Sequence, residues 1–521
     1  MSGIDDAKRQ PTDPGQRGEL DDLIVTLRRS APSGTRRDFL RWSAISAGAV
    51  ATVRAGSVAA APSHRLVLPA EYHADQIEKN VTINVPLDPY GQSMTLDPHR
   101  TVNWGTFWAL FPNVWGGLVR FDENAKVQLD LAESYAVNTD GTIYTFKIRP
   151  DAKYANGKKV VAGDFVTSWK RALDPSRLSP MASFMGQVKG YAKYTEKKSK
   201  SIGFKAVDDS TVEITLTKPY SFFLSYLAAF VWSVVDPKVL KDKGDDGFAL
   251  ADAGTGPWRF TSFDPATQVV MEPNTNHYGG NSPSIVKIVW PFVTGPSAAS
   301  TALNLYKQDQ AISADVPFSL KAAVEGDTDL SKQLVKVAPA GSTRSIAMDF
   351  NQAPFNDVRV RRAVALGADR AAWANDRFEG TWTPTKNFLP PIVTQNSKYQ
   401  PPDGIEFNAD DAKKSLADAG FAAGKGLPPV TYYEPSEDTD DEKARWKTFI
   451  ASLSTSTGIP ITHDATKTVD QISQMQTDNG GRQFDVVWWW NITETPHLLG
   501  EVMSSKSGYM KGVFNWSPTV P

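Results

Sequence analysis

The chain has 521 residues, a formal net charge of −2 and 22% charged residues, so it is typical of a globular protein and gives no reason to expect nucleic acid or an anionic membrane as a partner. Its length predicts two or three domains, because single hydrophobic cores stop growing at about 250–300 residues. Cysteine is absent, which excludes disulfides, thiolate metal sites, cysteine nucleophiles and the lipid-anchoring cysteine of a bacterial lipoprotein.

Residues 1–61 are predicted to be a disordered leader followed by an export signal. The residues before Arg36 are polar and rich in Asp, Arg, Pro and Gly, which favours disorder. Arg36 and Arg37 precede a mildly apolar run at 42–53, and small residues at 58–61 are typical of a cleavage site. This layout is typical of a twin-arginine (Tat) signal, with a chance arginine pair in a disordered leader as the alternative. We therefore expect export and a periplasmic location.

Alternating and helical patterns predict an α+β unit at 117–236. The segments "YTFKI" (144–148) and "TVEITLT" (211–217) alternate apolar and polar residues, as half-buried strands do. Between them, "GDFVTSWKRALDP" has apolar residues at helical spacing, with Asp164 as a candidate N-cap.

The later segments continue to mix strands and helices. "SIVKIVW" is predicted to be a strand, and "NDVRVRRAVALGADRAAW" a helix capped by Asn356 or Asp357, followed by further helix. "ADDAKKSLADAGF" predicts a helix that ends at Gly420 in a left-handed cap. "FDVVWWW" has the continuous apolar character of a strand buried on both faces, as in a helix-covered parallel sheet.

Tests for catalytic and metal-binding motifs are negative. The sequence contains no G-x-S-x-G elbow, H-E-x-x-H pair or G-x-x-x-x-G-K-[ST] loop. Its six histidines lack metal-ligand spacing: His64, His73, His99, His277, His463 and His497. We expect His99 and His277 to be loop or surface residues, and the acidic pairs at 245–246 and 410–411 to be solvated turns or helix starts. No catalytic residue, metal or cofactor is predicted, and the chain is not expected to be an enzyme.

Six segments form an ordered set between residues 80 and 515. They are "TLDPH" (95–99), the long stretch at 116–175, "GTGPWRF" (254–260), "PFNDVRVRRAVALGADR" (354–370), "AKKSLADAGF" and "FDVVWWW". Together they resemble, in order and spacing, the family 5 extracellular solute-binding proteins. That family includes the oligopeptide- and dipeptide-binding components of bacterial ABC importers.

The resemblance implies an α/β fold: a two-lobed clamp of the type II periplasmic binding protein class, with an α+β accessory domain inserted in lobe I. Lobe I would comprise 77–116 and 237–341, the accessory domain 117–236, and lobe II 342–506. Two crossover strands would form the hinge about which the lobes close on a ligand. Residues 507–521 would begin a return to lobe I whose C-terminal part would be missing, so we expect a fragment or a truncated protein.

The resemblance also implies a ligand site near "RQFDVVWWWNITETPH" (482–497). Peptide-binding members place an acid for the peptide's α-ammonium after the lobe II strand, and a charge in a closed cleft needs such a partner. The matching acid is Glu494, although its triplet and its spacing from the tryptophans depart from the family pattern. A surface or helix-capping role for Glu494 is the alternative.

The ring contacts of this site are predicted from strand geometry. Trp490, and with less weight Trp489, should contact the ligand, because clefts in open α/β sheets form at the carboxyl ends of strands. Trp104 and Trp108 are the candidates from lobe I, although Leu110 and neighbouring apolar residues also fit an amphipathic core helix. The backbone of "STRSIAMDFN" could pair with an extended ligand.

These features predict an exported, monomeric substrate-binding protein that captures a peptide and delivers it to an ABC permease after export by the Tat machinery. An oligosaccharide, an opine-like compound or a metal chelate is the alternative ligand. A secreted hydrolase is the remote alternative.

Overall fold

The computed structural model describes residues 80–89, 94–100, 110–122, 126–176, 179, 181–280, 284–335, 342–349, 352–378, 383–385, 405–477 and 484–490. The predicted leader and signal at 1–61 and the predicted return segment at 507–521 lie outside the described residues.

The strands are β1 (Val81–Asn84), β2 (Val119–Phe121), β3 (Val127–Leu129), β4 (Ala132–Val137), β5 (Ile143–Ile148), β6 (Phe204–Asp208), β7 (Thr211–Thr215), β8 (Trp258–Asp264), β9 (Gln268–Pro273), β10 (Ile285–Pro291), β11 (Ser342–Met348), β12 (Val430–Pro435), β13 (Ile461–Lys467) and β14 (Phe484–Trp490). The helices are α1 (Phe111–Val114), α2 (Ala162–Ala172), α3 (Tyr191–Thr195), α4 (Phe223–Leu227), α5 (Pro237–Gly247), α6 (Ala298–Lys307), α7 (Phe318–Gly326), α8 (Val358–Gly367), α9 (Arg370–Phe378), α10 (Ala409–Asp418), α11 (Asp440–Thr457) and α12 (Val469–Thr477).

The first sheet, sheet A, has the strand order β1-β10-β9-β8. β1 runs parallel to β10, and β9 pairs antiparallel with both of its neighbours. Phe260 on β8 lies opposite Met271 on β9, and both side chains are buried. Trp115, which follows α1, packs on Phe260 with ring centroids 6.2 Å apart. The short helix α1 is thereby held against sheet A, and the core interpretation of Leu110 is confirmed because that residue is fully buried.

The segment "GTGPWRF" packs its glycines directly on the backbone of α1. The backbone nitrogens of Thr255 and Gly256 donate to the carbonyl of Val114, at 3.1 and 2.9 Å. A Cβ atom at Gly256 would lie 2.4 Å from the carbonyl oxygen of Asn113. Glycine is therefore required here by close backbone approach, which accounts for this part of the motif.

Replacing Gly256 by alanine is expected to lower the free energy of unfolding by about 1–3 kcal/mol, the usual range for overpacking against atoms that cannot move aside. Urea denaturation of the purified protein measures this change. Gly326→Ala is the matched control, because a Cβ at Gly326 meets no atom within 4 Å. Equal stability of the two variants would contradict the steric explanation.

The second sheet, sheet B, is antiparallel with the order β4-β5-β7-β6. Val212, Ile214 and Leu216 are buried, so the alternation predicted for 211–217 is confirmed. Helix α2 packs on β6 and β7. Its Trp169 ring is fully buried against Phe204, with centroids 5.1 Å apart. The buried residues of this core all come from 118–234.

The prediction that Asp164 caps α2 is wrong in position. The N-cap residue is Val161, and Asp164 occupies the third helical position, where its carboxylate accepts from the Val161 backbone nitrogen at 3.3 Å. Asp164 also accepts from the buried Tyr154 hydroxyl at 3.1 Å. The carboxylate thus reaches back to the helix start from inside the first turn, an arrangement that local sequence does not distinguish from an N-cap.

The C-terminal part of the described chain combines β12 and β13, which pair in parallel, with helices α8, α10 and α11. Asp357 caps α8 by accepting from the Arg359 nitrogen at 2.8 Å, as one of the two predicted alternatives states. Asn408 caps α10, whose first turn holds the acidic pair at 410–411, and Gly420 adopts φ 95° beyond its end. The helix start and the left-handed cap predicted here are confirmed.

Helix α11 carries the largest apolar contribution of this region. Thr439 and Glu442 form a capping box, in which each side chain accepts from the other residue's backbone nitrogen, at 3.2 and 3.1 Å. Gly458 ends the helix at φ 82°. Trp446 is buried and packs on Tyr432 of β12, with ring centroids 5.6 Å apart. These contacts hold α11 across the β12–β13 pair.

The strand predicted from "FDVVWWW" is present as β14, but its pairing differs from the prediction. It pairs antiparallel with β11 rather than in a parallel sheet. β14 also lies beside β12, which belongs to the parallel pair. Apolar composition indicates that a strand is buried, but the direction of its neighbour depends on chain topology.

Candidate functional site

The pairing of β11 with β14 places the start of β11 beside the end of β14. Ser342, the first residue of β11, lies opposite Trp490, the last residue of β14, and Met348 lies opposite Phe484. The register runs without irregularity along both strands. The point where the chain enters β11 and the point where it leaves β14 are therefore side by side.

The predicted site residues divide into two groups. Trp489 and Trp490 lie in β14, where their backbones pair with Thr343 and Ser342. Glu494, Trp104 and Trp108 lie outside the described residues. The contacts of the five side chains with a ligand stay predictions.

A buried acid that the sequence did not single out lies next to β14. Glu434, near the carboxyl end of β12, is fully buried, and its carboxylate is 2.5 Å from Nε2 of His463 on β13. The His463 ring stacks on Tyr432 at 5.9 Å. Burial, followed by the charge of Lys447, lowers the pKa of His463. An acidic residue in "TYYEP" gives no sequence signal of burial, because its partner comes 29 residues later.

The opening motif "TLDPH" forms a buried polar cluster rather than an exposed loop. The Asp97 carboxylate accepts from both terminal nitrogens of Arg171, at 3.0 Å for the first contact, with a second, shorter contact. Asp97 is 2% exposed. The same carboxylate accepts from the His99 backbone nitrogen at 2.9 Å. Arg171 belongs to α2, so the motif is joined to the helix that covers sheet B.

His99 lies in a turn, as one of the two expected alternatives states, but its side chain is buried rather than at the surface. Its Nε2 is 3.1 Å from the carbonyl of Ser233, which can only accept, so Nε2 carries the proton. Its Nδ1 is 2.9 Å from the Arg171 guanidinium, which can only donate. Both contacts require the neutral ring. Burial, opposed by Asp97 and reinforced by Arg171, lowers the pKa of His99 to about 4.

Asp245, from the acidic pair expected in a solvated turn or at a helix start, takes part in the same cluster. It lies in α5 and accepts from Arg171 at 2.8 Å, while Arg100 lies 3.7 Å from its other oxygen. Arg171 therefore joins the opening motif, α2 and α5 through three charged groups. His277, the other histidine expected in a loop or at the surface, lies in an irregular segment between two turns and is half-buried.

The described part of the chain contains neither a cluster of side chains that could hold a metal ion nor a helix that could cross a membrane. No group of three or more His, Asp or Glu side chains there could hold a metal ion. None of the helices described is long and apolar enough to cross a membrane.

Comparison with known families decides the class of the chain. The sequence profile described as bacterial extracellular solute-binding proteins, family 5 Middle, matches residues 126–509. This chain belongs to that family. The resemblance noted from the motifs is thus confirmed.

Individual relatives of this solute-binding protein are distant in sequence. It is 29% identical over 333 residues to the dipeptide-binding protein DppE of Bacillus subtilis, covering 62% of this chain but only 58% of that relative. It is 27% identical over 409 residues to the periplasmic oligopeptide-binding protein OppA of Escherichia coli, covering 77% of this chain and 72% of the relative.

Solved structures extend the likeness to the fold. The oligopeptide-binding protein OppAIV of Borrelia burgdorferi has a TM-score of 0.70 at 22% identity, covering 83% of this chain and 84% of its own. Haemophilus influenzae OppA, solved in complex with the peptide RPPGFSPFR, has a TM-score of 0.70 at 21% identity, covering 85% and 89%. The solute-binding protein therefore has the mixed α/β, two-lobed fold of periplasmic binding proteins, as the motifs predicted.

Proposed function

We propose that this family 5 binding protein captures peptides in a cleft between its two lobes and delivers them to an ABC permease. The observation that carries the proposal is the family match over 126–509, since relatives are named for binding dipeptides and oligopeptides. Peptides as a class can be held by backbone hydrogen bonds that ignore side-chain identity, which suits a transporter of mixed peptides. The binding proteins among the relatives give no support to a hydrolase.

The proposed lobes follow the sequence boundaries. Lobe I comprises 77–116 and 237–341, the accessory domain 117–236, and lobe II 342–506. The self-contained core drawn from 118–234 supports a separate accessory domain. The pairing of Ser342 with Trp490 supports a hinge at that end of lobe II, because both crossings then lie side by side and bend together.

The proposed ligand contacts are Glu494 for the peptide's α-ammonium, with Trp490, Trp489, Trp104 and Trp108 as ring contacts. A buried ammonium needs a charged partner, which gives Glu494 its proposed role. The parallel alignment of β12 and β13 supports a cleft at the carboxyl ends of these two strands, since open α/β sheets bind ligands there. For the whole protein we propose export by the Tat machinery and a periplasmic, monomeric state.

The decisive experiment is native mass spectrometry of the purified protein, followed by a thermal-shift screen. Co-purifying masses that fragment as peptides, and stabilisation by di- to pentapeptides, support the proposal. Stabilisation by oligosaccharides alone, with no peptide detected in several preparations, would replace peptide by sugar as the ligand class.

Glu494→Gln is expected to weaken peptide binding by about thirtyfold, equivalent to about 2 kcal/mol, because it removes one charge from a desolvated pair. Isothermal titration with a peptide identified in the screen measures the change. The same peptide with an acetylated N-terminus should lose a similar factor against the original protein, and little more against the variant.

Glu133→Gln is the matched control for charge, since Glu133 is exposed on β4. It should bind the peptide as the original protein does. If Glu494→Gln also leaves affinity unchanged while peptides still bind, the anchor assignment is wrong and the peptide function stands.

A further inference from the structure

Residues 190–202, which include the short helix α3, form a compact surface segment beside sheet B, here named the lysine loop. Its two ends meet, because the backbone nitrogen of Gly203 donates to the carbonyl of Lys189 at 2.8 Å. Both ends are also tied to β7: the nitrogens of Lys189 and Thr215 form hydrogen bonds of 2.9 and 2.8 Å with the carbonyls of Thr215 and Gly203 respectively. Compact loops with joined ends are frequently functional.

The lysine loop concentrates positive charge on the surface. It carries four exposed lysines: Lys193, Lys197, Lys198 and Lys200. Its one acid, Glu196, forms an exposed ion pair with Lys198 at 2.8 Å. The exposed Lys189 and Lys205 flank the loop, and Lys205 lies opposite Glu213 of β7. The net charge of −2 for the whole chain therefore conceals a local excess of cations.

The backbone holds these lysines in place. The carbonyl of Lys193 accepts from the nitrogens of Lys198 and Ser199, at 2.8 and 3.0 Å. The half-buried rings of Tyr191 and Tyr194 pack against the core of sheet B. A rigid base with mobile ammonium tips lowers the entropy lost when several lysines bind together.

Folding does not account for this concentration of charge. Among the described residues, Lys193, Lys197 and Lys200 form no ion pair, whereas Lys198 pairs with Glu196. Lys197 also adopts a left-handed backbone, with φ 59°, which lysine seldom does. A left-handed lysine within a group of exposed cations departs from local sequence preference, and such departures are expected at functional sites.

We propose that the lysine loop binds anionic lipid headgroups at a membrane surface. Four lysines spread along one loop suit a surface that presents many negative charges at once, whereas a single small anion requires donors that converge on one point. This contact goes beyond peptide capture: it holds the protein at the membrane where a permease lies, and it requires no peptide. The contact is electrostatic, so it weakens as salt shortens the Debye length.

The test is co-sedimentation of the full chain with vesicles of phosphatidylcholine that contain about 30% phosphatidylglycerol. Each lysine near such a surface is expected to raise the binding constant about fivefold. The loop variant carries Lys193→Gln, Lys197→Gln, Lys198→Gln and Lys200→Gln. This variant should bind about a hundredfold less tightly, because it loses three unpaired lysines that each contribute a factor of about five. Binding should also fall sharply between about 0.1 and 0.5 M sodium chloride.

A control variant with the same change in net charge carries Lys238→Gln, Lys241→Gln, Lys243→Gln and Lys332→Gln, all exposed. It should bind vesicles as the original does, and the leader is common to all three proteins. Acetylation of lysines, read by mass spectrometry, should show vesicles protecting the loop lysines and not the control set. Equal binding by the loop and control variants, or protection of the control lysines alone, would overturn the proposal. Peptide affinity should be unchanged in both variants, so the outcome is separate from that of the proposed function.

Discussion

Replacing Arg171 by methionine is expected to lower the free energy of unfolding by about 3–5 kcal/mol, because it leaves a buried carboxylate without its counter-charge. The Arg171 side chain is 9% exposed and Asp97 is 2% exposed, so water cannot replace the lost partner. Asp245 loses its 2.8 Å contact at the same time, although at 24% exposure it is partly hydrated. Methionine retains most of the apolar stem, which limits the loss to the charged group. Urea denaturation followed by circular dichroism measures the change.

Arg359→Met provides the matched control. Arg359 pairs with Asp357 but is 51% exposed, so water can replace the lost partner and the loss of stability should be much smaller. Adding Asp97→Asn to Arg171→Met should recover part of the loss, since it removes the uncompensated charge. If Arg171→Met costs no more than Arg359→Met, the cluster around the opening motif contributes nothing to stability.

The elements that local sequence predicts well are those that local contacts determine. The alternation of Val212, Ile214 and Leu216 identifies β7, and Gly420 marks the end of α10. In each case the hydrogen bonds or buried faces involve residues a few positions apart. The family motifs then extend the prediction to the two-lobed fold.

Long-range contacts explain what the sequence did not predict. His99 contacts Arg171 and Ser233, which are 72 and 134 residues away in the sequence. The residues around His99 therefore do not indicate that its side chain is buried. The same holds for β14, whose partner β11 begins at Ser342. For the candidate site, the sequence predicts the strand that contains Trp489 and Trp490. The role of Glu494 rests on the family pattern alone and is tested by the binding measurement.

Acidification is expected to destabilise the protein through His99 between about pH 6.5 and 4. The pKa of His99 is about 4 in the folded chain and 6.5 in the unfolded chain, so over this interval the unfolded state binds a proton that the folded state does not. Stability from this group is fully present above pH 6.5 and is lost as the pH falls towards 4. At 1.36 kcal/mol per pKa unit, the loss is about 3 kcal/mol.

The two neighbours of the His99 ring, Arg171 and Ser233, explain why protonation of the ring is unfavourable in the folded chain. They also suggest the variant that tests the prediction. Protonation would place a second N–H against the Arg171 guanidinium, 2.9 Å away, so two donors would face each other in a buried site. In His99→Gln the amide oxygen can accept from Arg171 and the amide nitrogen can donate to Ser233, without any titration in this range.

Burial also lowers the pKa values of His277 and His463, and both residues remain in the variant. The measured quantity is therefore the difference between two curves of unfolding free energy against pH from 8 to 4. That difference should change by about 3 kcal/mol in favour of the variant as the pH falls. Parallel curves would mean that His99 is not held neutral by its buried contacts.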